Sequence, residues 1–192
     1  NPRRWIAAAY SWVQVQRLAR FEAWACANSD AVTVVSANDE VILRGMVSAE
    51  KPLIAIPNCI DTEPYQEWDG ATESADIVFL GKMDYRPNID AALYFTDEIW
   101  PFVRSKHPNA TFAIVGQKPH ARLDRLRDVA GVTITGWVDS VQPYLHGCRA
   151  FVMPLRMGSG TRLKLSEAMA AGKPIGSTTI GAAGFPVVDG QE

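Results

Sequence analysis

Ala150-Phe-Val-Met-Pro-Leu-Arg-Met-Gly-Ser-Gly-Thr-Arg-Leu-Lys-Leu-Ser-Glu-Ala-Met-Ala-Ala-Gly-Lys-Pro-Ile-Gly-Ser-Thr178 holds one full cycle of an α/β fold. The apolar run Ala150–Met153 stops at Pro154, which has no N–H to extend a sheet. A loop with two glycines follows. Thr161–Ala171 then places apolar residues at helical spacing, with Gly172 as the helix-ending residue and Pro174 beyond it. Ile175–Thr178 is a second short strand. Strand, glycine loop, helix, strand is the unit from which parallel sheets are built.

The same cycle repeats upstream. Asp76–Leu80 is a strand closed by Gly81, and Ile89, Ala92, Leu93, Ile99 and Val103 mark a helix with Pro101 near its end. Thr111–Val115 ends at Gly116. Leu123, Leu126 and Ala130 mark a short helix closed by Gly131. Val132–Thr135 ends at Gly136, and Val141–Leu145 is a helical turn. Short apolar strands alternating with helices predict an α/β fold, a doubly wound parallel sheet of Rossmann-like type, over residues 75–192. Ligands of such sheets bind at the carboxyl ends of the strands.

Residues 1–60 form a partial second α/β domain on the same reasoning. A helix spans 3–27, a strand Ala31–Val35, a helix capped by Ser36 runs to about Val47, and a strand Leu53–Ile56 stops at Pro57. Between the two, residues 61–74 lose apolar periodicity and read as a linker. Residues 1–74 hold 6 basic and 10 acidic groups, net −4, whereas 75–192 hold 13 and 11, net +2. Val187–Val188 reads as the end of a strand running into a turn. Asn1 in place of Met and the lack of a closing helix fit an interior piece of a longer chain.

Composition removes other classes. Apolar residues are 47% and charged residues 21%, near the globular average, and the net charge of −2 gives no basic field for nucleic acid. No apolar run approaches the ~20 residues of a membrane span. Cys26, Cys59 and Cys148 offer no paired spacing for a disulfide framework or zinc, and His107, His120 and His146 share no ligand spacing. No metal site is expected.

The segment with chemistry is the one quoted first. A glycine turn that feeds a helix start presents unpaired N–H groups and a positive dipole, which suit an anion. Five basic residues (Arg149, Arg156, Arg162, Lys164, Lys173) against one acid, Glu167, between Ser140 and Pro174 suit a diphosphate; a basic surface on a capped helix is the plainer alternative. Glu167 stands in an apolar run where a carboxylate could accept from the vicinal diol of a ribose, or could simply face water. Lys82, after the strand-ending Gly81, could meet a phosphate or be solvated. Gly136-Trp-Val138 could lay a wall against a base or be an ordinary turn.

Taken together, Phe79-Leu-Gly-Lys-Met-Asp-Tyr-Arg-Pro-Asn-Ile-Asp-Ala91, Ala113-Ile-Val-Gly116, Val132-Thr-Ile-Thr-Gly-Trp-Val138, Pro154 through Pro174 and Ala182–Gly190 resemble the C-terminal, nucleotide-sugar-binding domain of family 4 glycosyltransferases of the GT-B fold. The Arg-x-Gly-Ser-Gly-Thr-Arg-Leu-Lys variant is similar to bacterial exopolysaccharide-type sugar transferases. Residues 31–61 resemble the end of that family's N-terminal, acceptor-side domain. The resemblance implies a hexosyltransferase-type enzyme. It would move a sugar from a nucleoside-diphosphate-sugar to a saccharide or lipid-linked acceptor, with retention and without a metal or other cofactor.

It further implies that Glu167 binds the ribose hydroxyls and that Gly158, Ser159, Gly160 and Thr161 offer amides to the diphosphate and sugar. Gly81 and Lys82, with Arg162 and Lys164, would hold phosphates, and Val138 would lie by the base. The family's second glutamate, eight residues before Glu167, is replaced by Ser159, and its usual Pro-Asn-Gly crossing has Cys59. The catalytic residue is expected in the N-terminal half, so this chain alone is expected to bind donor weakly and transfer nothing. A cytoplasmic enzyme is implied, with peripheral contact at the inner membrane face open to the full-length form. The helix at 3–27 would serve either as an interfacial element or as packing for N-domain strands. A GT-B nucleotide-sugar epimerase, a dinucleotide oxidoreductase and a noncatalytic nucleotide-binding module are the alternatives. The oxidoreductase lacks its glycine fingerprint here.

Overall fold

The computed structural model describes residues 2–48, 50–66, 68–70, 72, 75–158 and 160–190. They fall into two compact units, 1–58 and 59–192.

In the first unit, helix α1 (Pro2–Ala27) precedes strand β1 (Val32–Val34), helix α2 (Ala37–Arg44) and strand β2 (Leu53–Ala55). The two strands pair in parallel, Val32 opposite Leu53. Ser36 caps α2 as its sequence predicts: its Oγ accepts the Asp39 N–H at 3.1 Å. Arg44 closes the other end by donating to the carbonyls of Lys51 and Leu53 at 2.9 and 2.7 Å. Cys26, Val34 and Leu53 are buried, while Trp5, Trp12, Phe21 and Trp24 of α1 are exposed.

The second unit opens with a helical turn, α3 (Glu63–Gln66), inside the segment expected as a linker. There follow β3 (Ile77–Leu80), α4 (Arg86–Tyr94), α5 (Trp100–Lys106), β4 (Phe112–Val115), β5 (Val132–Gly136), α6 (Gln142–Gly147), β6 (Ala150–Met153), α7 (Leu163–Ala170) and β7 (Ile175–Ser177). The sheet order is β5-β4-β3-β6-β7, all pairs parallel. The chain winds outward from β3 to β5, then crosses back to β6 and β7. This is the α/β, doubly wound, Rossmann-like arrangement the sequence predicts. The strands at the centre are almost wholly buried, which is why they read as unbroken apolar runs rather than alternating ones.

The long helix differs in detail. It runs on through Pro101, and α4 and α5 are joined by a π-helical turn at Phe95–Ile99 in which the Trp100 N–H reaches back to Phe95. Pro101 has no N–H and its ring crowds the carbonyl one turn back, so a widened turn just before it accommodates the ring. Trp100 is thereby driven into the core against Phe95 and Phe112, its Nε1 donating to Ala130 O at 3.1 Å. The short helix before β5 is a 3-10 helix, Ala121–Asp128. The strand expected at Val187–Val188 does not form; that segment is irregular and exposes both valines. Among the described residues no helix is long and apolar enough to cross a membrane.

Candidate functional site

The strand order reverses between β3 and β6, and their carboxyl ends open into the crevice where such sheets bind ligands. On one side, β3 ends at Gly81. Its N–H donates to Val115 O at 2.9 Å, holding it flush against Gly116. The space is so tight that a Cβ on Gly116, which has φ +151°, would lie 1.6 Å from Gly81 O. Asn88, buried in the first turn of α4, donates from Nδ2 to Lys82 O at 3.0 Å and so fixes the Gly81–Lys82 turn. The Lys82 ammonium is exposed and lies 3.5 Å from Asp84.

On the other side, the loop after β6 is bolted to α4. Arg156 donates to both carboxylate oxygens of Asp90, at 3.0 and 2.8 Å, and its guanidinium stacks 4.4 Å from the centre of the Tyr94 ring. This pairing holds the Asp90 carboxyl below the usual carboxylate range. The loop then turns through Gly158 (φ +117°) and Gly160 (φ +83°), conformations that suit glycine. Arg162 donates from Nη1 to Gly160 O, and α7 begins.

The N-terminal turns of α4 and α7 therefore meet across one cavity of about 290 Å³. Tyr85 and Asn88 line it from the start of α4; Met157, Gly158 and Thr161 line it from the loop before α7, and Arg162 and Lys164 from the start of α7. One turn further along α7, Glu167 is half-buried beside Lys164. Burial pushes the Glu167 carboxyl up, against the opposing pull of Lys164 and of a hydrogen bond from the Tyr65 phenol. Burial likewise pushes the Lys164 ammonium down, partly offset by Glu167. The Tyr65 phenol is raised by burial and by the Glu167 charge, and stays a donor.

Of the residues singled out from sequence, Gly158, Thr161, Arg162 and Lys164 come together at the cavity, with Gly160 in the same turn. Glu167 adjoins them on α7. Gly81 and Lys82 stand at the neighbouring strand end, joined to the cavity wall through Asn88. Val138 lies apart from the cavity lining, after β5, partly buried against the core. Ser159 lies outside the described residues.

The basic cluster is smaller than the sequence suggests. Lys173 donates to the carbonyls of His146 and Cys148 at 2.8 and 3.0 Å, closing α6. Arg149 lies 3.6 Å from Asp76, and Arg156 is bound to Asp90. Arg162 and Lys164 are the two that line the cavity. Asn88, Tyr85 and Tyr65 were not singled out as site residues. Asn88 follows a proline at a helix start, which is a local signal; Tyr65 carries none, because α7, against which its turn lies, is remote in sequence. Among the described residues no group of three or more His, Cys, Asp or Glu is placed to hold a metal ion.

A doubly wound sheet with two helix starts facing one another across its switch point defines a Rossmann-like α/β domain with an anion-suited crevice. The family model described as glycosyl transferases group 1 matches residues 74–192, and the chain belongs to that family, of the GT-B fold. It is similar to glycogen synthase of Mycobacterium tuberculosis, 28% identical over 199 residues. That match covers 97% of this chain and 45% of the relative, so the chain spans about half of its length. Among solved structures it is similar to TarM, with a TM-score of 0.65 and 17% identity over 83% of this chain and 32% of that one. Anabaena HepE, solved with UDP and glucose, matches with a TM-score of 0.59 and 14% identity over 78% of this chain and 44% of that one. WaaG, a glycosyltransferase involved in lipopolysaccharide biosynthesis, gives 0.54 and 17% over 80% and 45%. At these identities the structural matches speak to the fold.

Proposed function

We propose that residues 59–192 carry the donor side of a sugar transferase that takes a nucleoside-diphosphate-sugar. The observation that carries this reading is the cavity between the starts of α4 and α7, with Lys164 and Glu167 one turn apart on the second helix. The diphosphate lies at the Gly158–Thr161 turn and the α7 N-terminus, near Arg162 and Lys164, with Lys82 across the crevice. Glu167 accepts from the ribose hydroxyls, and Val138 faces the base. The departing diphosphate is stabilised by helix dipole and cations, aimed where charge develops. The transferred unit is a hexose, passed with retention to a saccharide or lipid-linked acceptor in the assembly of an exported polysaccharide. HepE, solved with UDP and glucose, and pneumococcal GtfA, solved with UDP and GlcNAc, are of the same fold and support a nucleotide-sugar donor. Ser159 in place of a family glutamate leaves the donor sugar without a second carboxylate.

Calorimetric titration with UDP, GDP, ADP and NAD tests the reading. One nucleoside diphosphate should bind and NAD should not. Glu167→Ala should weaken the bound nucleotide by about 1–3 kcal/mol, the value of a lost charge-assisted hydrogen bond. Unchanged affinity removes Glu167 from the donor site.

A further inference from the structure

One face of α4 receives the segment that leaves β6. Pro87, Asp90 and Tyr94 recur at three- and four-residue steps, so they share that face. Gly158 lies over Pro87: a Cβ added there would stand 3.8 Å from the Pro87 Cγ. Arg156 spans the other two residues. Its Nε and Nη2 donate to the two oxygens of Asp90, and its guanidinium lies on the Tyr94 ring. Leu155, between Arg156 and the strand, is buried, and its carbonyl accepts from the Thr178 hydroxyl. The backbone is thus fixed just before Met157 and Gly158 reach the cavity. Asp90, Tyr94 and Arg156 are not among the described residues that line it.

We propose that Arg156 and Asp90 are positioning residues for the donor diphosphate: their bidentate pair, seated on Tyr94, holds the backbone at Met157 and Gly158 in the shape that receives the phosphates, a role that rests on the donor reading of the Gly158–Thr161 turn. Isolated ion pairs at a surface contribute little. This one is a planar fork on a carboxylate, backed by an aromatic ring, the geometry in which an arginine pair is strong and directional. The Asp90 side chain is only 19% exposed, so water does not readily replace its partner. Glycine gives the turn that follows more backbone freedom than other residues. A clamp at its entrance removes part of that freedom before the ligand arrives.

Charge makes the role testable. Asp90 is an anion at the edge of a site for anions. If it acted through its charge alone, neutralising it would tighten a diphosphate. If it acts through Arg156, neutralising it frees the segment and weakens binding. The two outcomes have opposite sign.

The test titrates the chain with UDP and UMP, GDP and GMP, and ADP and AMP, and repeats the pair that binds on Asp90→Asn and Arg156→Lys. Arg156→Lys keeps the cation and loses the fork. Melting curves on the same samples check that each is folded. The parent should prefer the diphosphate over the monophosphate. A binding-competent segment that falls to about 10–30% of the population weakens its ligand by about three- to tenfold. Both variants should lose that much affinity for the diphosphate and less for the monophosphate, a split that a general loss of stability would not give.

If Asp90→Asn binds the diphosphate as tightly as the parent, or more tightly, positioning is overturned while the parent's preference upholds the donor site. Equal loss for both nucleotides makes the pair purely structural and overturns it too. Should Asp90→Asn not fold, Arg156→Lys decides alone: parent-like affinity overturns the role, and a loss of about three- to tenfold confined to the diphosphate upholds it. No preference for any diphosphate by the parent removes the donor reading, and the role with it.

Discussion

Gly116→Ala is the sharpest test of the crevice floor. The added Cβ would stand 1.6 Å from Gly81 O and 2.7 Å from Gly81 C. Carbon and oxygen that are not bonded need more than 3 Å, so β3 and β4 must part by over an ångström at their carboxyl ends. Two hydrogen bonds bridge that gap, Gly81 N–H to Val115 O and Met83 N–H to Gln117 O, both 2.9 Å. Losing both costs about 1–3 kcal/mol. An alanine at φ +151° adds roughly 1–2 kcal/mol. The total is about 2–5 kcal/mol. For a unit of this size that lowers Tm by roughly 8–20 °C, at about 4 °C per kcal/mol.

Gly172→Ala is the control. Gly172 also has positive φ, +65°, but an added Cβ there meets nothing within 4 Å. It should lose about 1 kcal/mol, the backbone cost alone. Scanning calorimetry of both variants separates collision from conformation. If Gly116→Ala melts within 2 °C of Gly172→Ala, about half a kcal/mol, the tight seam between the strand ends is refuted.

Two further outcomes follow from packing and charge. Glu167→Gln should raise Tm at neutral pH. Burial raises the folded pKa of Glu167, so the native state holds its proton more tightly than the unfolded chain and stability falls as pH climbs from about 4.5 through the folded pKa. The gain from the glutamine should thus vanish below pH 4.5 and level off above the folded pKa; a pH-independent gain would contradict this. Trp100→Phe removes buried area and the hydrogen bond to Ala130 O, and should cost about 2–3 kcal/mol. Urea unfolding should show the midpoint falling at constant slope.

Much of the fold was legible because its central strands are buried on both faces. Val78–Leu80, Phe112–Val115 and Phe151–Met153 must be apolar throughout, and glycine or proline must end them. The glycines at 158 and 160 were legible for a different reason: positive φ selects glycine locally. The widened turn at Phe95–Ile99 was not. Pro101 announces a disturbance, but whether the helix stops or bulges depends on what Trp100 packs against.

Charge was the least legible property. Five basic residues near one loop suggested a broad cationic site, yet Arg149, Arg156 and Lys173 are held by Asp76, Asp90 and the end of α6. Side-chain pairing across 66 residues, as between Asp90 and Arg156, has no local signature.

The sequence by itself determined the alternation of strands and helices, the glycine turn and the placement of Lys164 and Glu167 on one helix, since periodicity and backbone freedom are local properties. The tertiary structure decided which groups share a space: Tyr85 and Asn88 facing Arg162 and Lys164 across one cavity, and the α3 turn beside α7. Contacts of that kind depend on how the sheet is ordered and where a connecting segment is pinned, and no run of neighbouring residues encodes either.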